Sequence, residues 1–217
     1  MKIRWCGHAC FLITTDAGKK ILMDPYEPGG FGGALAHGPV TDEVDIVLVS
    51  HDHGDHNYTN GLKGKFKVIK GAGSHPLQSL EVRGVPTYHD TAQGKDRGEN
   101  VIFSFEADGI TLCHLGDLGH SLNSHELSQV GKVDILFIPV GGFYTIDART
   151  ATKVMESIKP HITIPMHFKT EKCGFPITAV DDFLQSKKNW SKTGKSEVIV
   201  AKDSLPESDI WVLEYAL

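Results

Sequence analysis

Residues 45–57 read DIVLVSHDHGDHN. Ile46 to Val49 form an apolar, β-branched run too short for a helix, which predicts a strand buried on both faces. Three of the chain's 12 histidines and two aspartates crowd in where it ends. One residue separates His51 from His53, so in an extended segment both imidazoles point to one side. Gly54 allows a sharp turn at positive φ before Asp55 and His56, with a helix expected from about Asn57. The result is two pairs of ligands aimed from one turn at neighbouring points. Imidazole nitrogen and carboxylate oxygen suit Zn²⁺ and other divalent first-row metals, and the lack of cysteine argues against a closed structural zinc site.

One loop supplies too few groups for a hydrolytic metal site, and the same context recurs three times further along. His89 closes VRGVPTYHD, Asp117 follows ITLCHLGD, and His167 closes HITIPMHF. Each ends a β-prone run and precedes loop-like sequence, where a rigid scaffold presents functional groups. His75 competes with His89, but it precedes Pro76 in a turn whereas His89 ends a strand-like run.

Around these ends, KIRWC, CFLITT, KKILMD, FKVIK, VIFSFEAD and ITLCHLG read as further strands, with hairpin turns at DAGK (16–19) and ADG (107–109). EPGGFGGALAHGPV (27–40) reads as a mobile loop. DILFIPVG and HITIPMH are strands flanking a helix whose apolar stripe is Ala148, Ala151, Val154, Met155 and Ile158, capped by Asp147 and stopped by Pro160. A second helix is expected over 178–188, before closing strands SEVIVAKD and DIWVLEYAL. In KGKFKVIK, Lys63, Lys65, Lys67 and Lys70 read as the solvent side of a strand with Phe66 and Val68 inward.

At 217 residues, with 40% hydrophobic and 23% charged residues and a net charge of −5, the chain suits one soluble domain spanning residues 1–217. That balance offers no general attraction to nucleic acid or anionic membrane. No run approaches the roughly 18 apolar residues of a membrane span, and no signal peptide is evident. Cys6, Cys10, Cys113 and Cys173 make no C-x-x-C pair, so free buried thiols and a cytoplasmic location are expected. A homo-oligomer is left open.

HDHGDH as an H-x-H-x-D-H signature, followed in order by His89, the LGD of Asp117 and the PMHF of His167, resembles the metallo-β-lactamase-fold hydrolases. GHACFLI and KKILMDPY look like the opening strands of their small single-domain branch, which includes proteins known simply as metal-dependent hydrolases and, more distantly, ascorbate-6-phosphate lactonases and N-acyl-phosphatidylethanolamine phospholipases. The resemblance implies an α+β, four-layer αββα sandwich of two facing mixed sheets with helices outside. It also implies His51, His53 and His89 on one metal, Asp55, His56 and His167 on a second, and Asp117 bridging them. Two ions roughly 3.5–4 Å apart lower the pKa of water towards 7 and supply a bridging hydroxide. Asp55 then orients the nucleophile and carries a proton, and the bond cleaved is an ester, lactone or phosphodiester of a small molecule. Zn²⁺ leads as the metal, with Mn²⁺, Fe²⁺ and Ni²⁺ as alternatives. The competing functions are an inactive metal-binding or interaction protein of the same fold and a nuclease-like phosphodiesterase.

Four further residues are candidates. Asp24, in MDPY, either orients a ligand imidazole or forms a turn before Pro25. His8, in CGHACF, either faces the site or is a core histidine satisfied by backbone. His120 is a substrate or proton-relay candidate three residues after Asp117. Tyr144, in PVGGFYT, either touches substrate or belongs to a tight turn.

Overall fold

The computed structural model describes residues 1–78, 80–185 and 187–217. The chain opens with strands β1 (Lys2–Gly7), β2 (Cys10–Thr14), β3 (Lys20–Met23), β4 (Ile46–Val49) and β5 (Lys67–Lys70). β6 (Gly73–Pro76), β7 (Glu81–Tyr88), β8 (Glu99–Ala107) and β9 (Ile110–His114) follow, then helix α1 (Ser124–Val130) and β10 (Ile135–Pro139). Helix α2 (Ala148–Ile158), β11 (Ile162–Met166), helix α3 (Val180–Leu184), β12 (Trp190–Lys192), β13 (Glu197–Ile199) and β14 (Asp209–Val212) complete the chain.

These strands form two mixed sheets, one in the order β13-β1-β2-β3-β4-β5 and the other β12-β14-β11-β10-β9-β8-β7-β6. The period-2 pattern of the early strands explains how the first sheet is buried on both faces. Phe11, Ile13, Ile21, Met23, Ile46 and Leu48 face the main core shared with the second sheet. Alternating with them, Cys10, Leu12, Leu22, Val47 and Val49 face a second apolar cluster on the opposite side. Leu48 is fully buried, and truncating it to Ala costs about 2–5 kcal/mol.

Helical residues Val130, Ala151, Val154, Val180, Phe183 and Leu184 all join the main core, with α1 against β7 and α2 against β10. The outer cover of the first sheet is instead made by loops carrying Tyr26, Leu35, Val40, Cys173 and Phe175. The αββα arrangement is therefore heavy on one side and thin on the other. In α2 the expected cap is present, Asp147 Oδ1 accepting from Thr150 N at 2.7 Å, and Lys159 leaves the helix in the left-handed conformation before Pro160.

Several local expectations are corrected. No helix starts at Asn57: Gly54 O accepts from Glu27 N, and Tyr58 N donates to Pro25 O. Both groups are thus consumed in tying the histidine turn to residues 25–27. Gly54 is also absent from the residues with positive φ. The 27–40 segment is anchored rather than mobile, with Leu35 bridged to Gly30 and Cys173 and Ala36 N donating to Lys172 O. The late helix spans only Val180–Leu184, and the Thr178 amide before it donates to Gly141 O; Ser186, within the longer helix expected, lies outside the described residues. In β5 it is Ile69 that reaches the core, while Val68 is 38% exposed. All four cysteines are free and buried.

Candidate metal centre

The ends of β4, β7, β9 and β11 deliver His51, His89, Asp117 and His167 to one place, joined by the turn carrying His53, Asp55 and His56. One ligand atom each from His51, His53 and His89 lies within 4.8 Å of the others, and the same holds for His51, His56 and Asp117. A third group contains Asp55, His56, His167 and also His8. All seven proposed ligands therefore converge, whereas His75 lies on β6 with its Nε2 against Gly71 O. Only His53 among the seven is exposed, at the mouth of the site.

Asp117 is central. Its Oδ2 lies 3.1 Å from His89 Nε2, and 3.2 Å from the Nε2 atoms of both His56 and His167. Yet Asp117 Oδ1, His51 Nε2, His56 Nε2, His89 Nδ1 and His167 Nδ1 are buried without a hydrogen-bond partner. Buried polar atoms are normally paired. Of these unpaired atoms, Asp117 Oδ1 and the Nε2 atoms of His51 and His56 belong to residues that converge, and imidazole nitrogen with carboxylate oxygen is a donor set that fits divalent cations.

A second set of contacts aims the imidazoles. Asp24 Oδ2 accepts from His56 Nδ1 at 2.8 Å and from the Ser50 hydroxyl at 2.6 Å, while Oδ1 accepts from Ser50 N. With its own hydrogen given to Asp24, Ser50 Oγ accepts from His51 Nδ1 at 2.9 Å. One carboxylate thereby fixes the tautomer of two histidines and turns both Nε2 lone pairs inward. Asp24 thus bonds both His56 and Ser50 from its place before Pro25.

The backbone around Asp117 is equally constrained. Its N–H donates to Asn100 Oδ1 at 2.9 Å, and Asn100 in turn donates to Leu115 O and Thr87 Oγ1. A Cβ on Gly119 would stand 2.2 Å from Asp90 N and His89 C, so glycine lets the Asp117 loop lie directly on the His89 backbone.

Electrostatics follow from this crowding. Burial, with neighbouring His56, pushes His51 down to about 3. Burial, with His167, pushes His8 down to about 4, leaving both rings neutral at neutral pH. Against the effect of burial, Asp117, Asp55 and Asp24 raise His56 well above the usual imidazole range. Burial likewise opposes the lowering of Asp117, but His167 and His56 hold it well below the ordinary carboxylate value.

The remaining candidates divide. Tyr144 lines a cavity of about 420 Å³ over the cluster, together with Phe31, Arg97 and Phe175. His120 does not: its Nε2 accepts from Tyr88 N and its Nδ1 donates to Ser121 O, so no ring nitrogen is left for a relay. His8 is not satisfied by backbone; its Nε2 meets Asp55 Oδ2 at 3.2 Å and its Nδ1 has no partner. Ser50, Asp90, Phe31, Arg97 and Phe175 were not anticipated. Phe31, 52% exposed, carried a readable signal as the one large apolar residue inside GGFGG. Asp90, next to His89, accepts from the amides of Ala92, Gly94, Asp96 and Arg97 at 2.7–3.0 Å. These bonds, with burial opposing, lower its pKa to about 2. They also hold the loop that carries Arg97 to the cavity.

Histidines and carboxylates gathered at the strand ends of a two-sheet sandwich make a donor set able to hold divalent metal. The model of the β-lactamase superfamily domain matches residues 2–167, and the chain belongs to that family. A UPF0173 metal-dependent hydrolase of Carboxydothermus hydrogenoformans is 30% identical, over 83% of this chain and 88% of its own. A UPF0173 protein of Pyrococcus furiosus is 33% identical, over 88% and 93%. Among solved structures, a candidate Zn-dependent hydrolase of the metallo-β-lactamase superfamily from Thermotoga maritima superposes with a TM-score of 0.82 at 34% identity, covering 99% of both chains. A metallo hydrolase of Ignicoccus hospitalis shares the fold, with a TM-score of 0.67 at 20% identity over 100% and 96%. Among the described residues no helix is long and apolar enough to cross a membrane.

Proposed function

We propose that the chain is a binuclear hydrolase of small-molecule esters, lactones or phosphodiesters. The observation that supports this reading most directly is the set of unpaired donors around Asp117, flanked by one group of three histidines and another of Asp55, His56 and His167. His51, His53 and His89 would hold one ion, Asp55, His56 and His167 the other, and Asp117 would touch both. Zinc is the first choice for such a donor set. When bound, the pair of ions activates water at neutral pH and polarises the bond to be cleaved.

The protein's own groups do the rest. Asp24 and Ser50 keep His56 and His51 in the ligating tautomer. Asp55, at the cavity floor, orients the attacking water and passes its proton to the leaving group. The aromatic rings of Phe31, Tyr144 and Phe175 exclude water from one side and receive a flat or apolar part of the substrate. Arg97, whose guanidinium lies 5.8 Å from the Tyr144 ring centroid, faces the same space and favours a substrate with negative charge.

Elemental analysis after reconstitution tests the metal content, with about two ions per chain expected. Hydrolysis of bis(p-nitrophenyl) phosphate and p-nitrophenyl acetate tests the activity. Asp117→Ala should abolish turnover of whichever probe the wild type cleaves while the circular dichroism spectrum is kept. A reconstituted wild type without bound metal would refute the proposal.

A further inference from the structure

Within that two-ion reading, on which this inference rests, we infer that His8 is a positioning residue for Asp55. Its Nε2–H donates to Asp55 Oδ2 and fixes the carboxylate that serves the second ion. His8 stands 47 residues from Asp55 in sequence, at the irregular connection between β1 and β2 where the register slips between Trp5 and Gly7.

The ring is held from several sides. The His8 carbonyl accepts from Trp5 Nε1 at 3.0 Å and from His167 N at 3.2 Å. Its imidazole packs 4.1 Å from that of His167 and 5.6 Å from the Phe175 ring. The residue is 1% exposed and has a φ of 52°, uncommon for any residue but glycine.

The tautomer then follows from hydrogen-bond chemistry. Were the hydrogen on Nδ1, a buried N–H would have no acceptor, and the Nε2 lone pair would face a carboxylate oxygen at 3.2 Å. With the hydrogen on Nε2 both penalties vanish, and only a bare lone pair remains unpaired. Asp55 Oδ2 is thereby tied to the β1–β2 connection, in one orientation, 3.7 Å from His56 Nε2. The same side chain is also near enough to ligate, since one atom each of His8, Asp55, His56 and His167 lies within 4.8 Å of the others. The test separates positioning from ligation.

Two variants and one spectrum decide. His8→Gln places an amide N–H where Nε2 stood but is a poor zinc ligand; His8→Ala removes both capacities. Zinc is titrated against a competing chelator for the reconstituted wild type and both variants. His8→Ala is expected to keep the first ion and bind the second about 10–100-fold more weakly. His8→Gln should keep two ions with affinity within about threefold of wild type, an expectation set by the retained donor. In the ion-free wild type, two-bond ¹H–¹⁵N correlation should place the His8 hydrogen on Nε2. Wild-type affinity in His8→Ala, a His8→Gln that matches the Ala variant, or a hydrogen found on Nδ1 would each overturn the inference. A wild type that takes up fewer than two ions defeats the binuclear reading instead, and the His8–Asp55 pairing is still decided by the spectrum.

Discussion

Asp24 Oδ2 accepts the Nδ1 hydrogen of His56 at 2.8 Å across 32 residues of chain, with both side chains buried. The same carboxylate also steers His51 through Ser50. Asp24→Asn isolates its charge, because asparagine tolerates the left-handed backbone that Asp24 adopts at φ 45°. The expected outcome is metal affinity reduced about 10–100-fold, measured by chelator competition, with native secondary structure retained.

Metal affinity should rise with pH. A divalent ion must displace the proton that Asp117, Asp55 and Asp24 stabilise on His56, whose pKa lies well above the ordinary imidazole value despite burial. Below that raised pKa each pH unit should cost up to about tenfold in affinity, because binding releases a proton. His51 and His8, both neutral down to about 3 and 4, add no dependence near pH 7. Isothermal titration in buffers of different ionisation enthalpy would report the proton release directly, and a pH-independent affinity between pH 6 and 8 would contradict this account.

Gly119→Ala should disable the first site from outside it. The new Cβ would stand 2.2 Å from the backbone at His89 and Asp90, where no flexible side chain is available to yield. Displacement of His89 should weaken the ion held with His51 and His53 and lower stability by about 1–3 kcal/mol. Metal content and thermal midpoint read the two effects separately.

Arg97→Gln should act on substrate binding. A lost charge-assisted contact is worth roughly 1.5–3 kcal/mol, which predicts about a 10–100-fold rise in KM for an anionic substrate. A neutral ester should be nearly unaffected, and metal content unchanged. Equal effects on bis(p-nitrophenyl) phosphate and p-nitrophenyl acetate would remove Arg97 from substrate recognition.

Legibility from sequence followed range. The unbroken apolar run from Ile46 to Val49 and the periodic stripe of α2 are local patterns, and both elements fold where the patterns place them. The positions of His89, Asp117 and His167 at strand ends were readable for the same reason. Helix α1 also had a local signature that was not used: Asn123 accepts from Glu126 N while Glu126 Oε2 accepts from Asn123 N, a capping box written as N-x-x-E. Other features had no such pattern. In place of the helix expected after His56, the turn is tied to residues 25–27, a contact made only once the sheet has formed. Ser50 joins the site through Asp24, and Arg97 through the four amides gathered by Asp90. On edge strand β5, lysines bracket the adjacent pair Val68 and Ile69, so composition did not distinguish which of the two faces inward.

Three residues at the centre, His8, Asp24 and His167, are non-glycine residues held at φ 45–52°. Each such conformation costs of order 1–3 kcal/mol, and all three stand at strand exits where a glycine would relieve it. The strain therefore gives the site an evolutionary signature. In a lineage released from the need for hydrolysis, drift should reach these positions early, replacing them with glycine or asparagine while the sandwich survives. Sequence change at 8, 24 and 167 would then mark a retired member of the family before the histidine turn itself had decayed.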